Sequence, residues 1–375
     1  MSVRQPTHAG TWYSDDGDIL RGQLDHWLDQ VPDHIEGLGT LPIQGSRIII
    51  APHAGYAYSG PCAAFAYKSL DLSLAKRIFL IGPSHHEYMR HIALSEFDAY
   101  ATPLSDEPLR LDTELIAHLK TTRSATQPQA RFESMSHSVD EAEHSLELHL
   151  PYIHRMLQRH LPSAPVSSYP PLVPMIVGST SAAAEQALGS IIAPYLDDPG
   201  SIFIISSDFC HWGTRFSYTY YLPHTPFPKP ALPLSYDKLP QPAVNMSEDS
   251  VKQEIASVSS GRPVRHTDTF DQGGLTPEIH DSISACDVAC MKAIAYGDSK
   301  LFLQVLQNTG NTVCGRHPIG VILSALEQVL RVQKPVEDEG DIPTGRFYFI
   351  RYERSSEVTV PAESSVSYVS AFATL

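Results

Sequence analysis

The sequence predicts an α/β fold, a single domain with a central mixed β-sheet flanked by helices. Three observations predict it. Short β-branched or aromatic runs recur along the chain, segments with helical spacing lie between them, and two late runs alternate as antiparallel strands do.

The strong runs are "SRIIIAPHAG" (46–55), "KRIFLIGPSHH" (76–86) and "GSIFIISSDFCHW" (200–212). Each has about the length of a strand, and near-continuous apolarity predicts strands covered on both faces. Helical spacing marks "CAAFAYKSL" (62–70), "EAEHSLELHLPYIHRMLQRH" (141–160) and "SAAAEQALGSIIAPYL" (181–196). "TVCGRHPIGVILSALEQVL" (312–330) reads as a turn leading into an amphipathic helix, with Pro318 near its first turn. "RFYFIRYER" (346–354) and "SVSYVSAFATL" (365–375) alternate, which predicts antiparallel additions and hence a mixed sheet. Two stretches break the pattern. Residues 222–274 are proline-rich with little apolar periodicity, and "QKPVEDEGDIPTG" (333–345) is short and acidic. The first is expected to be a flexible insertion, the second a shorter insertion of the same kind. The strand pattern resumes after both, so 1–375 is expected to be one domain.

Composition narrows the function classes. Lys plus Arg total 27 against 42 Asp plus Glu, a formal charge of −15, which argues against an extended track for nucleic acid or anionic lipid. No apolar run approaches the ~20 residues of a membrane span, and the first residues lack the apolar stretch of a signal peptide. Five cysteines without disulfide-framework spacing favour a reducing compartment, so a cytoplasmic and also nuclear location is expected. Cys286 and Cys290 read as two buried small hydrophobes rather than as a metal site.

The chemistry gathers where the strong strands end. The first runs into His53, the second into His85 and His86, the third into Asp208 and His211. A lone histidine there is more often structural, but three such endings in one sheet are not the usual accident. If the strands run parallel, these groups share the carboxyl edge, where α/β sheets bind ligands. Imidazoles with a carboxylate or thiolate make a transition-metal site, and a thiolate shifts preference toward softer ions. Cys314 is the candidate thiolate, since helix-start amides and nearby Arg316 are expected to lower its pKa. On local sequence alone it reads equally as an inert buried thiol. In "DEAEHSLELHLPY" (140–152), His144, Glu147 and His149 lack zincin spacing, and Glu147 reads as a residue that supports the pocket from behind or lines its wall, or equally as part of a solvated face. Nucleophile-elbow, phosphate-loop and dinucleotide motifs are absent.

Several blocks carry a resemblance. "HAGTWY" (8–13), "IIAPHAGYAYSGPCAAFAYK" (49–68), "FLIGPSHH" (79–86), "EHSLELHLPY" (143–152), "SSDFCHWGTRFSY" (206–218), "NTVCGRHPIGVIL" (311–323) and "SSVSYVSAFA" (364–373) resemble the Memo family, named as a mediator of cell motility. The resemblance implies a fold similar to class III (LigB-type) extradiol non-haem iron dioxygenases. It implies iron or copper held by His53, His85 and Cys314, with His211 and Asp208 as catalytic groups in the same pocket. A cysteine where the dioxygenases have a carboxylate argues against ring cleavage. The function implied is metal-dependent and redox-related, with copper-dependent oxidant production tied to signalling and the cytoskeleton. Two alternatives follow from the same family: a non-catalytic module binding phosphotyrosine-type peptides, and iron or copper buffering.

Overall fold

The computed structural model describes residues 1–124, 126–127, 130–224, 232–242, 246–265, 277–332 and 344–375. Ten strands among these form one sheet: β1 (Ser46–Ala51), β2 (Arg77–Pro83), β3 (Ile92–Leu94), β4 (Phe132–Ser134), β5 (Leu172–Val177), β6 (Ser201–Ser206), β7 (His211–Trp212), β8 (Leu234–Ser235), β9 (Phe347–Arg354) and β10 (Ser365–Thr374). Their order is β8-β9-β10-β1-β6-β2-β5-β3-β4, with β7 paired onto β10. The middle is parallel: β1 pairs β6, β6 pairs β2 and β2 pairs β5. Both flanks begin with antiparallel pairs, β10 on β1 and β3 on β5. The expected mixed sheet is therefore present, and the two alternating runs near the carboxyl terminus are β9 and β10, antiparallel to each other.

The parallel strands are buried along nearly their whole length, which explains their continuous apolarity. Phe79 of β2 and Phe203 of β6 stack with centroids 4.5 Å apart, on one face of neighbouring paired positions. Around the sheet lie α1 (Gly17–Gln30), α2 (Tyr56–Ser69), α3 (His144–Glu147), α4 (Leu150–His160), α5 (Ala182–Asp197), α6 (Glu248–Val258), α7 (Ile279–Tyr296), α8 (Ser299–Thr309) and α9 (Arg316–Val332). One large apolar cluster joins the sheet to these helices, as expected for a single α/β domain. Among the described residues no helix is long and apolar enough to cross a membrane.

Two expectations change. The helical stretch 141–160 is broken into α3 and α4, because Pro151 takes the first-turn place of a new helix, where its missing N–H costs nothing. The stretch 222–274 is not loop throughout. Residues 225–231, 243–245 and 266–274 of it lie outside the described residues, as do 333–343 of the second insertion. The described part contains β8, which extends the sheet edge, and α6, which buries Val251, Ile255 and Val258. That spacing of four and three residues makes one helical face, obscured in the sequence by the surrounding prolines.

Candidate metal centre

Register levels the strand ends. Ala51 pairs with Ser206, so His53 and Asp208 each follow two residues beyond one paired position. Ile81 pairs with Ile205, which sets His85 at the same edge. After β1 the chain turns through His53 into α2, whose N-cap is Gly55. After β6 it bends outward so that His211 pairs with Val366 of β10. Cys314 stands two residues before α9, its amide donating to the Asp208 carbonyl at 3.3 Å. Gly315 permits that approach, since a Cβ there would meet Ser207 Cβ at 2.3 Å. Glu143 pins the remaining turn by accepting from the amides of His85 (2.6 Å), His86 (3.1 Å) and Ser145 (3.0 Å).

All five residues expected at the site, His53, His85, Asp208, His211 and Cys314, line one cavity of about 790 Å³. His53 is central and 2% exposed, with its Nε2 lying 3.2 Å from His85 Nε2 and 3.3 Å from Cys314 Sγ. Ligand bonds of about 2.05 Å to nitrogen and 2.3 Å to sulfur in tetrahedral geometry place donors about 3.3 Å (N to N) and about 3.6 Å (N to S) apart. Each of the two spacings from His53 is close to such a donor pair, while Cys314 is not in the set whose ligand atoms all lie within 4.8 Å of one another. The His53 tautomer fits as well. Ser206 Oγ donates to the Ser145 carbonyl at 2.7 Å, so at 2.6 Å it accepts from His53 Nδ1–H, leaving the Nε2 lone pair facing the cavity.

The sequence reading did not single out His144 as a ligand. Ligand atoms of His53, His85 and His144 all lie within 4.8 Å of one another, and the His144 ring stacks on His85 at 5.0 Å. Gly82 lets α3 reach β2, because a Cβ there would meet Ser145 Oγ at 2.8 Å. Trp12 lies over His144 at 4.6 Å and also lines the cavity. Nothing in local spacing separates His144 from a surface histidine, so only the fold identifies it. Of its expected places, Glu147 takes neither the cavity wall nor the solvated face, and keeps the supporting one. It is fully buried and receives Arg4, His8 and Tyr13, thereby anchoring the segment that carries Trp12. His86 is exposed and does not line the cavity. Cys286 and Cys290 are buried on α7, as expected.

The electrostatics favour neutral imidazoles. Burial, then the nearby His85 and His144, hold His53 well below the usual histidine range. Partial loss of water around the still exposed His85 ring lowers it too, against the pull of Glu143, and burial lowers His144 to about 4. Asp208 is raised to about 6 by burial, which the nearby His211 opposes. Its Oδ1 accepts from the His53 amide at 2.9 Å and its Oδ2 lies 4.0 Å from His211 Nε2. His211 Nδ1 faces only the carbonyls of Phe209 (2.9 Å) and Thr312 (3.3 Å), so in the neutral tautomer Nδ1 carries the hydrogen and Nε2 the lone pair. The expected lowering of the Cys314 pKa is reversed. Burial and the Asp208 charge raise it well above the usual thiol value, outweighing the Asp208 amide that donates to the sulfur at 3.1 Å. Arg316 is exposed and is not among the influences on that thiol.

Two other buried histidines set a stability profile. Burial holds His149 at about 3 and His154 at about 4. The unfolded chain, titrating near pH ~6.5, then binds more protons than the folded one, so stability falls as pH drops below ~6.5. The expected loss at pH 5.5 is about 1 kcal/mol for each histidine, read as a falling urea midpoint between pH 7.5 and 5.5. Replacing both with glutamine is expected to reduce that slope by their share, the remainder coming from His53, His85 and His144.

Known proteins show the same whole-chain pattern. A family model described as "Memo-like protein" matches residues 4–372. "Protein MEMO1" of Danio rerio is 37% identical over 369 residues, covering 98% of this chain and 96% of the relative. "Protein MEMO1" of Homo sapiens is 35% identical over 365 residues, covering 97% and 95%. The Saccharomyces cerevisiae "MEMO1 family protein MHO1" is 36% identical over 386 residues, spanning 100% of both. With the match running from Arg4 to Phe372 in the last strand of the sheet, the chain belongs to the Memo-like protein family.

Proposed function

We propose that this protein holds an iron or copper ion at His53, His85 and Cys314, with His144 alongside, and uses it in redox chemistry linked to signalling. The observation that carries the reading is the His53 lone pair, fixed by Ser206 and facing both His85 Nε2 and Cys314 Sγ at ligand-pair spacing. Iron or copper there supplies one-electron chemistry, and a sulfur ligand favours Cu(I). The chain supplies the rest. His211, locked by two carbonyls, presents Nε2 to the cavity as the group that takes or returns a proton, and Asp208 stabilises its charged form. Trp12, Tyr58 and Phe216 line the same cavity and form aromatic contact surface for a small substrate.

A second reading, docking of a phosphotyrosine-type peptide from a signalling or cytoskeletal partner, draws on one feature. Arg215 is exposed, lines the cavity and lies over Phe216 at 4.4 Å, offering an anion a cation beside a ring.

Anaerobic titration with Fe(II) and Cu(I) tests the first reading. The intact chain is expected to bind one ion, with His85→Ala weakening both metals and Cys314→Ser weakening Cu(I) by more than about 100-fold. Equal affinity in all three proteins would remove the site. Cys314→Ser that keeps Cu(I) but fails on loss of His144 would move the third ligand to His144.

A further inference from the structure

Beside the histidines runs a row of oxidisable rings that the proposed function leaves unused. Tyr67 and Tyr152 stack with centroids 4.7 Å apart and planes 5° apart. Tyr152 leads to Tyr56 at 5.6 Å, and Tyr56 to Tyr13 at 5.4 Å. Tyr56 follows His53 by three residues, so with 3.8 Å between consecutive Cα atoms the row passes within about 11 Å of that histidine's Cα. Tyr13 is next in sequence to Trp12, which lines the cavity.

The four phenols differ in what they donate to. Tyr56 donates to the Leu148 carbonyl and Tyr152 to the Gly60 carbonyl, each at 2.7 Å. A carbonyl cannot keep a proton. Tyr67 instead faces His149 Nδ1 at 2.7 Å, and Tyr13 donates to Glu147 Oε1 at 2.8 Å. Both acceptors present a lone pair that can take the proton of an oxidised phenol, which is a far stronger acid than either conjugate acid, although His149 and Glu147 are weak bases here at about 3 and about 2. The direction at Tyr67 follows from counting unmet groups. His149 Nε2 is buried without a partner, so donation by the phenol leaves one group unmet, whereas a proton on Nδ1 would strand the phenol O–H as well. Oxidation of a phenol by one electron makes its proton strongly acidic. Only a phenol hydrogen-bonded to a base can give up electron and proton together at low cost.

We propose that Tyr67 and Tyr13 are proton-coupled redox tyrosines at the ends of this row, joined by Tyr152 and Tyr56, and that they take up oxidising equivalents produced in the histidine–cysteine cavity. The source of those equivalents rests on the redox-ion reading above. The balance is for one hydrogen peroxide. Its reduction to two waters uses two electrons, one from each tyrosine, and two protons from solvent. Tyr67 passes its phenolic proton to His149 Nδ1 and Tyr13 passes its own to Glu147, leaving two neutral phenoxyl radicals. Two one-electron reductants of the thiol or ascorbate class then restore the phenols. Such a row draws oxidation away from Cys314, whose thiol would otherwise climb toward sulfenic and sulfinic acid.

The experiment has two arms on the full chain. In the metal-free protein, a photogenerated ruthenium(III) tris-bipyridyl oxidant is followed by freeze-quench electron paramagnetic resonance. A tyrosyl signal is expected that falls in Tyr67→Phe and in Tyr13→Phe and is nearly lost in the double variant. Tyr348→Phe, which removes a buried hydroxyl with no partner away from the row, is expected to leave it intact. In the second arm, Fe(II)-loaded protein receives one equivalent of hydrogen peroxide, and the same pattern is expected. An undiminished signal in the double variant would overturn the tyrosine assignment. A signal in the first arm with silence in the second keeps the assignment and overturns the bound ion as its oxidant. Incorporating 3,5-difluorotyrosine at 67 or 13 adds fluorine splitting while keeping ring and hydroxyl, so misfolding of a phenylalanine variant cannot imitate either result.

Discussion

Glu147→Ala is expected to remove about 3–5 kcal/mol of unfolding free energy, the scale for breaking a buried charge network by taking out one partner. The side chain is fully buried, and its carboxylate receives Arg4 Nη1 at 2.7 Å, the His8 amide and Nδ1 at 2.8 Å each, and Tyr13 hydroxyl at 2.8 Å. Burial opposes ionisation, yet the His8 hydrogen bonds and the Arg4 charge prevail and hold the group at about 2. Alanine leaves the Arg4 guanidinium, 1% exposed, with Asp140 as its remaining carboxylate. Urea denaturation measures the loss. Hydrogen exchange should quicken over residues 4–13 in particular, because these donors tie that segment down. Lys252→Ala, which breaks an exposed helical pair with Glu248, is expected to leave the midpoint where it was. Equal exchange rates in Glu147→Ala and the parent would refute the anchoring role.

The second large effect is expected at Asp287, which joins from behind the loop that carries Asp208 and His211 to the loop that carries Cys314. This α7 carboxylate is fully buried. Its Oδ1 accepts from the Cys210 amide at 3.2 Å and from Asn311 Nδ2 at 2.9 Å, and its Oδ2 from Tyr352 hydroxyl at 2.9 Å. Cys210 lies between Asp208 and His211, and Asn311 lies three residues before Cys314. Removing the acceptor leaves the Cys210 amide unmet and the Asn311 amide and Tyr352 hydroxyl with only their longer contacts to Cys290 Sγ (3.5 Å) and Ser367 Oγ (3.3 Å), so at about 1–3 kcal/mol for an unmet donor Asp287→Ala is expected to cost about 2–4 kcal/mol. Asp287→Asn keeps the shape and should fall between. The local readout is the rate at which iodoacetamide alkylates Cys314, expected to rise in the alanine variant under conditions where the protein remains folded. An unchanged rate would mean that the loops hold each other without Asp287.

What the sequence made legible follows from range. The parallel strands announce themselves because burial on both faces leaves no polar positions, and the antiparallel β9 and β10 because their pattern alternates. Once three such strands are adjacent and parallel, their carboxyl ends must converge, so His53, His85, Asp208 and His211 could be read as one group. The rest depends on contacts distant in sequence. Arg4 and Glu147 are 143 residues apart, and nothing near either one announces the other. His144 reaches the cavity only because Glu143 caps the neighbouring turn and Gly82 admits α3. The Cys314 pKa was misread for a related reason. Helix-start amides are visible in sequence, whereas the opposing Asp208 charge and enclosure come from another loop. Helix α6 was missed because proline-rich flanks dominated its composition.

The Ser206 hydroxyl has a consequence for how the centre meets acid. By passing its own proton to Ser145, it leaves His53 with one tautomer, and burial keeps that ring from protonating in the range where proteins ordinarily work. A cation arriving at His53 Nε2 therefore displaces no hydrogen from the imidazole. On the proposed reading the proton lost on loading comes from Cys314, so uptake is expected to become tenfold more favourable with each unit by which pH rises toward the thiol pKa. In this protein a serine far from solvent decides which of the donors answers to the acidity of its surroundings.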